Sequence, residues 1–422
     1  MEFSKEWALQ QDEQDELKSF RSKFLLPLHN EYECVYFTGN SLGLQPKTTA
    51  AAIQQELNDW AKFGVEGHFL AKNPWVSYHE QFAEGTTALV GARPDEVVVM
   101  NQLTSNLHFL LVSFYRPTQK RYKIICEAKA FPSDQYALQS QIKFHGFHPS
   151  DALIEISPRM GEHYLRTEDV LQVIQDHHES VALVMMGGVN YLTGQVFEMK
   201  TITTAAHNAG AVCGWDLAHA AGNIELNLHD WNVDFACWCS YKYLNSGPGS
   251  VAGAFVHERH LQDLDLPLFA GWWGHDKNER FKMESVFRPM ATAERWQVSN
   301  APVLSMAAYK ASLEIFQEAG MYRLINKSKK LTAYLEFVLN CISASQPKDS
   351  TFEIITPKER GCQLSVVAHS RGKDLYKQLL QNGIITDWRE PNVIRMAPVP
   401  LYNSFQDIFR FGTILQSILK RG

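Results

Sequence analysis

The most chemically suggestive residue in this chain is a lysine placed directly after an apolar run. Lys242 stands in Ser240-Tyr241-Lys242-Tyr243, behind residues 233–239 and ahead of the turn Asn245-Ser246-Gly247-Pro248-Gly249. Lysine forms Schiff bases, and partial desolvation lowers its pKa toward nucleophilic use. A second stretch, Trp215-Asp216-Leu217-Ala218-His219, follows the apolar residues 211–215. A carboxylate leaving so buried a run needs a cationic partner. Three residues on, His219 falls on the same helical face. The pair could bind a metal, but no third ligand is near, and Asp216 could equally cap the next turn. In Met100-Asn101-Gln102-Leu103-Thr104-Ser105-Asn106, hydroxyls and free N–H groups gather where a helix begins, which suits a phosphate as well as an ordinary cap. In Ala130-Phe131-Pro132-Ser133-Asp134, Ser133 or Asp134 can cap a helix while Phe131 can stack on a flat ligand. Finally, Gly271-Trp272-Trp273-Gly274-His275 and Ser299-Asn300 bring adjacent tryptophans, costly to expose, and an amide.

These residues need a scaffold, and the hydropathy pattern supplies one. Short apolar runs at 96–100, 122–126, 152–156, 181–186, 211–215, 233–239 and 251–256 read as strands. Helical patterns of about ten residues separate most of them, which predicts a mostly parallel seven-stranded sheet covered by helices on both faces. In such sheets ligands bind beyond the carboxyl ends of the strands, where the chemical residues stand. Residues 48–63 carry apolar positions Ala50, Ile53, Leu57, Trp60 and Ala61 at helical spacing, closed by Gly64. Beyond Pro302 the pattern changes to a smaller α+β domain. The expected division is an N-terminal segment 1–45 packing with the small domain, a large ligand-binding domain 46–301, and a small domain 302–422.

Composition sets the outer limits. A chain of 422 residues has room for two to three domains, and 45% hydrophobic with 20% charged residues excludes disorder. A net charge of -6 argues against a nucleic-acid surface or a polybasic membrane anchor. The seven cysteines are odd in number and form no CxxC pair, so they read as reduced core thiols of a cytoplasmic protein with no metal centre. The acidic N-terminus has no secretory h-region, and residues 181–186, the longest apolar run, are too few to span a bilayer.

Taken together, the strand-end residues describe one cofactor. Pyridoxal 5'-phosphate needs a lysine for its aldehyde, a carboxylate for its ring nitrogen, a stacking aromatic and a phosphate site. Lys242, Asp216, Phe131 and Thr104 supply these in turn. The chain also resembles the kynureninase family of fold-type-I pyridoxal-phosphate enzymes, through residues 36–44, 131–134, 191–195, 216–220, 228–245 and 394–404. The resemblance is nearly continuous from Tyr36 onward. It implies that Leu103 and Thr104 hold the phosphate and that Phe131, Pro132, Ser133 and Asp134 frame the ring. It gives Asp216 the ring nitrogen with His219 beside it, Tyr241 the phosphate and Lys242 the covalent link. Trp272 and Asn300 become further cofactor-site positions, Arg395 takes the substrate's α-carboxylate, and His68 and Asn300 face the substrate. Gly187-Gly188 departs from the pattern, because a hydroxyl residue is expected before the glycine.

The implied activity is hydrolysis of L-kynurenine or 3-hydroxykynurenine to L-alanine and the matching anthranilate, in a homodimer. In that reading Lys242, Asp216 and Tyr241 are the catalytic groups. The alternatives are a cysteine desulfurase, an aminotransferase, or a non-catalytic scaffold. A desulfurase needs an exposed cysteine on a mobile loop, whereas Cys341 and Cys362 fall in an expected helix and strand.

Overall fold

In a computed structural model, which describes residues 1–345, 352–369 and 372–420, the strands form where the apolar runs stand. They are β1 (Val97–Met100), β2 (Lys123–Glu127), β3 (Leu153–Ile156), β4 (Val181–Gly187), β5 (Val212–Asp216), β6 (Phe235–Cys239) and β7 (Ala252–Val256). Their order across the sheet is β1-β7-β6-β5-β4-β2-β3. Only β7 runs antiparallel to its neighbours, so the sheet is mostly parallel as expected. The inner strands are buried on both faces because helices cover both. In β5, Cys213 and Trp215 are fully buried, and Trp215 donates its indole N–H to Thr203 on the covering helix at 3.1 Å. A side chain of that size contributes roughly 1.5–3 kcal/mol by burial alone.

Because β2, β4, β5 and β6 are parallel, their carboxyl ends share one edge. Helices α1 (Leu103–Phe114) and α2 (Pro132–Phe144) begin at that edge. A second, antiparallel sheet is built from β8 (Phe352–Ile354), β9 (Leu364–Ala368), β10 (Asp387–Arg389) and β11 (Val393–Met396), in the order β8-β9-β11-β10. Ala8, Val35 and Phe37 from the N-terminal segment share a core with Leu335, Leu364 and Phe411, and Val35–Tyr36 pairs in parallel with Ile384–Ile385. The core around the large sheet continues past Pro302, since Met306, Leu313 and Phe316 of helix Val303–Ala319 are buried in it.

One helix faces the other way from its sequence pattern. Thr49–Phe63 buries Glu56 and Asp59, while Leu57 and Trp60 of the apolar stripe are exposed, Trp60 by 61%. Glu56 is satisfied inside by the Trp75 indole, the Tyr78 hydroxyl and the Asn73 amide. Its neighbours therefore reward the carboxylate for being inside. The apolar face is left for some other surface.

Candidate active site

Lys242 follows β6 on a short turn that several bonds pin. The Asn245 N–H donates to the Lys242 carbonyl at 3.0 Å, and the Ser240 hydroxyl donates to the Val251 carbonyl. Gly43 of the N-terminal segment donates its N–H to the Tyr241 carbonyl at 2.8 Å. A Cβ on Gly43 would lie 2.4 Å from the Lys242 carbonyl oxygen, so only glycine permits this approach. The lysine side chain is 9% exposed. Its Nζ lies 3.1 Å from His219 Nε2 and 5.6 Å from the centre of the Phe131 ring. Burial, Lys242, Arg395 and Arg389 hold His219 well below the usual histidine range, so it is a neutral imidazole.

Asp216 ends β5. Its Oδ1 accepts the Ala218 N–H at 2.6 Å, so it does cap the following turn, while its carboxylate also hydrogen-bonds to Asp134. Burial and the Asp216 charge push Asp134 well above the carboxylate range. Of the two carboxyls, Asp134 is therefore the one whose protonated form is favoured. Two expected capping roles need correction. Thr104, Ser133 and Asp134 are not caps but lie in the first turns, because the N-cap positions are Gln102 and Phe131. Neither N-cap side chain bonds the helix; α1 keeps free N–H groups in its first turn, whereas at α2, which opens on Pro132, Asp134 and Gln135 donate to the Phe131 carbonyl and Ser133 holds the free N–H. Between them Thr104 Oγ1 lies 2.8 Å from Ser133 Oγ. Two such ends with two hydroxyls form an anion site.

These residues line one cavity of about 190 Å³: Leu103, Thr104, Phe131, Ser133, Asp134, Asp216, His219, Tyr241 and Lys242 all contribute to its wall. The wall also holds Glu127, Gly187, Val189, Tyr191 and Ala218, to which the strand-end reading gave no role. Glu127 and Gly187 could have been found by the rule that selected Asp216, since both end apolar strands. Buried Asp134 Oδ1 and His219 Nδ1 have no hydrogen-bond partner, as expected of groups facing a ligand. The donor set fits pyridoxal phosphate. It has a desolvated lysine, a carboxylate pair at a strand end, an aromatic face and an anion site.

Other expected residues are elsewhere. Pro132 opens α2 and lies outside the cavity wall. Arg395 is fully buried, with its guanidinium bonded to Asp387 and to the Tyr191 carbonyl. Asp387 stands opposite Arg395 in the β10–β11 register. His68, Trp272 and Asn300 do not line the cavity. His68 Nδ1 lies 2.9 Å from the Val65 carbonyl, and Asn300 is bonded by Ser299 at 3.1 Å. Of the tryptophan pair, Trp273 is buried and Trp272 is half exposed. Phe281 joins Trp272 and Phe69 into one aromatic patch, meeting them at 5.5 and 6.5 Å between ring centres. All seven cysteines are unpaired, and Cys362 is fully buried while Cys341 is partly buried on a helix, so neither offers a desulfurase's exposed loop thiol.

Comparison with known proteins agrees with this constellation. The family model "Kynureninase C-terminal domain" matches residues 324–415. A kynureninase of Flavobacterium psychrophilum is 59% identical over 414 residues, covering 97% of both chains. One of Flavobacterium johnsoniae is 60% identical over 416 residues, covering 98% of this chain and 97% of that one. Among solved structures, an apo cysteine desulfurase of Thermococcus onnurineus superposes with a TM-score of 0.77 over 96% of this chain and 98% of that one. At 17% identity, this likeness is one of fold.

Proposed function

The chain belongs to the kynureninase family, and from that premise we propose how its own residues carry out the hydrolysis of L-kynurenine or 3-hydroxy-L-kynurenine. The observation that carries the assignment is Lys242 in one cavity with the Asp134–Asp216 pair and two uncapped helix starts. Pyridoxal phosphate bound there supplies a covalent link to the substrate amine and an electron sink for charge at Cα.

The protein's part is binding and proton management. The N–H groups at Leu103 and in the first turn of α2, with the Thr104 and Ser133 hydroxyls, receive the phosphate. Asp216 holds the proton on the ring nitrogen, and protonated Asp134 donates to Asp216 and fixes its orientation. Phe131, its edge set by a T-shaped contact with Tyr191 at 5.4 Å, offers an aromatic face. With the cofactor and substrate bound, Lys242 Nζ would be the group that takes the Cα proton, and neutral His219, 3.1 Å away, would keep it aimed. Water adds to the aryl ketone carbon and the Cβ–Cγ bond breaks, giving L-alanine and an anthranilate. Burial raises the Tyr241 phenol, keeping it protonated as the donor for late proton transfers. For Arg395 to take the α-carboxylate, its guanidinium must exchange the Tyr191 carbonyl for the substrate while Asp387 holds its other side, since it is fully buried and off the cavity wall.

The enzyme acts as a homodimer. His68, Trp272 and Asn300 lie outside this chain's cavity, and the outward face of Thr49–Phe63 is apolar. A second copy that covers such surfaces would bring the three residues to its partner's cavity. Mixing inactive Lys242→Ala and Trp272→Ala chains through a denaturation–refolding cycle then restores activity, because one site of each mixed dimer is intact. No recovery, or a monomer by sedimentation, would overturn this. No described helix is long and apolar enough to cross a membrane. The seven unpaired thiols, as a reducing compartment would keep them, support a cytoplasmic location.

Product analysis tests the function itself. The expected products are alanine with anthranilate or 3-hydroxyanthranilate. Catalytic efficiency is expected to be higher on the 3-hydroxylated substrate, because His68 and Asn300 can bond its phenol. Polar groups left unpaired by the other substrate cost roughly 1–3 kcal/mol each. Sulfide from cysteine, or keto acid without anthranilate, would sink the assignment. Equal efficiencies would remove only the preference.

A further inference from the structure

Glu127 has no place in the scheme above, yet its carboxyl is in the cavity wall. It is 5% exposed and ends β2, beside the end of β4. Its two oxygens accept only backbone N–H groups: Gly187 donates to them at 3.1 and 3.4 Å, and the residue's own N–H adds a further contact. Among the described residues no cation pairs with it. A buried carboxyl without a cation is costly, and this one stands in the wall of the cavity that the cofactor would fill.

The position opposite it explains the space. Residue 187 is the one at which a hydroxyl side chain was expected and glycine stands. A Cβ there would lie 3.1 Å from Glu127 Oε1 and 3.4 Å from the Val189 carbonyl oxygen. A side chain at 187 would therefore press on the Glu127 carboxyl, which would have to give way slightly to admit it. Glycine at 187 and a carboxyl at 127 are complementary choices.

We propose that Glu127 is a cofactor-contacting residue of this enzyme, making with pyridoxal phosphate the polar contact that a hydroxyl at 187 would otherwise make. The proposal rests on the pyridoxal reading of the cavity and adds a residue to it. A donor is needed wherever the cofactor presents an oxygen, and the carboxyl can be one. Burial and the neighbouring Asp216 charge raise it to about 7, so its protonated form is populated at neutral pH. The other ionisable groups around it are Asp134, Asp216 and the Cys126 thiol, with Lys242 acting on the same carboxyl cluster.

The test is cofactor binding rather than turnover. Pyridoxal-phosphate affinity of the resolved full-length chain is measured by equilibrium dialysis, with the bound-cofactor absorbance spectrum and the melting temperature of the apo form alongside. Glu127→Ala is expected to weaken binding about tenfold and to shift the absorbance maximum, with the apo melting temperature little changed. Glu127→Gln, which keeps a donor and an acceptor, stays close to the wild type. Gly187→Ser alone weakens binding, because its Cβ crowds Glu127. Gly187→Ser combined with Glu127→Ala recovers most of the lost affinity. Should Glu127→Ala not fold, Glu127→Met, which fills the same volume, takes its place with the same expectations. Wild-type affinity and spectrum in Glu127→Ala overturn the proposal. So does a double variant no better than Glu127→Ala, since the carboxyl would then act only in packing. A wild-type chain that binds no pyridoxal phosphate overturns the cofactor reading as well, which the other outcomes leave standing.

Discussion

Lys242→Ala is expected to abolish turnover, by more than about 10³-fold, while the protein keeps its fold. General-base catalysis alone is worth about 10²–10⁴-fold, and this lysine is also the covalent anchor. Loss of both functions cannot be offset by His219, which burial and the two arginines Arg395 and Arg389 still leave a weak base and which cannot form the covalent link. The fold survives because the lysine's side chain bonds only His219, and its removal relieves a charge that now disfavours imidazolium. The backbone pins at Ser240, Asn245 and Gly43 do not involve the side chain. Stopped-flow turnover with circular-dichroism melting checks both halves. Retention of more than about one per cent of the wild-type rate, with cofactor bound, would move the proton carrier elsewhere.

Asp216→Asn is expected to cost about 10²–10⁴-fold in rate with a smaller loss of cofactor affinity. The amide oxygen can still accept the Ala218 N–H, so the turn after β5 persists. The amide cannot hold the ring nitrogen protonated. A second signature follows from Asp134. In the wild type the Asp216 charge helps to keep its carboxyl protonated, and removing that charge lowers its pKa. As pH rises through this lowered value, Asp134 ionises and supplies the missing negative charge. Residual activity of Asp216→Asn should therefore increase with pH, and the increase should vanish in Asp134→Asn/Asp216→Asn. A flat profile, or wild-type turnover, would reduce Asp216 to a cap.

Much of the active centre is visible in sequence order because buried parallel strands are short and apolar. A charged or reactive residue just after such a run therefore stands out, as Lys242 and Asp216 do. Glu127 obeys the same rule, but its meaning depends on Gly187, sixty residues away in sequence and brought beside it only by the β2–β4 contact. Strand β10 gave no signal, since Asp387-Trp388-Arg389 has no apolar run and its pairing is with β11.

The sequence by itself determined the seven-stranded sheet, the helices between its strands and the edge that carries the chemistry. Those depend on local periodicity and on residues within a few positions of each strand end. Only the tertiary structure decided that Thr104 and Ser133 lie inside uncapped first turns, that Asp134 is buried against Asp216, and that Arg395 meets Asp387 across a hairpin. It also decided that the apolar stripe of Thr49–Phe63 faces outward, because Trp75, Tyr78 and Asn73 satisfy Glu56 within. His68, Trp272 and Asn300 likewise stand outside the cavity. Which side chains face one another is a property of packed surfaces, and no spacing along a single chain encodes it.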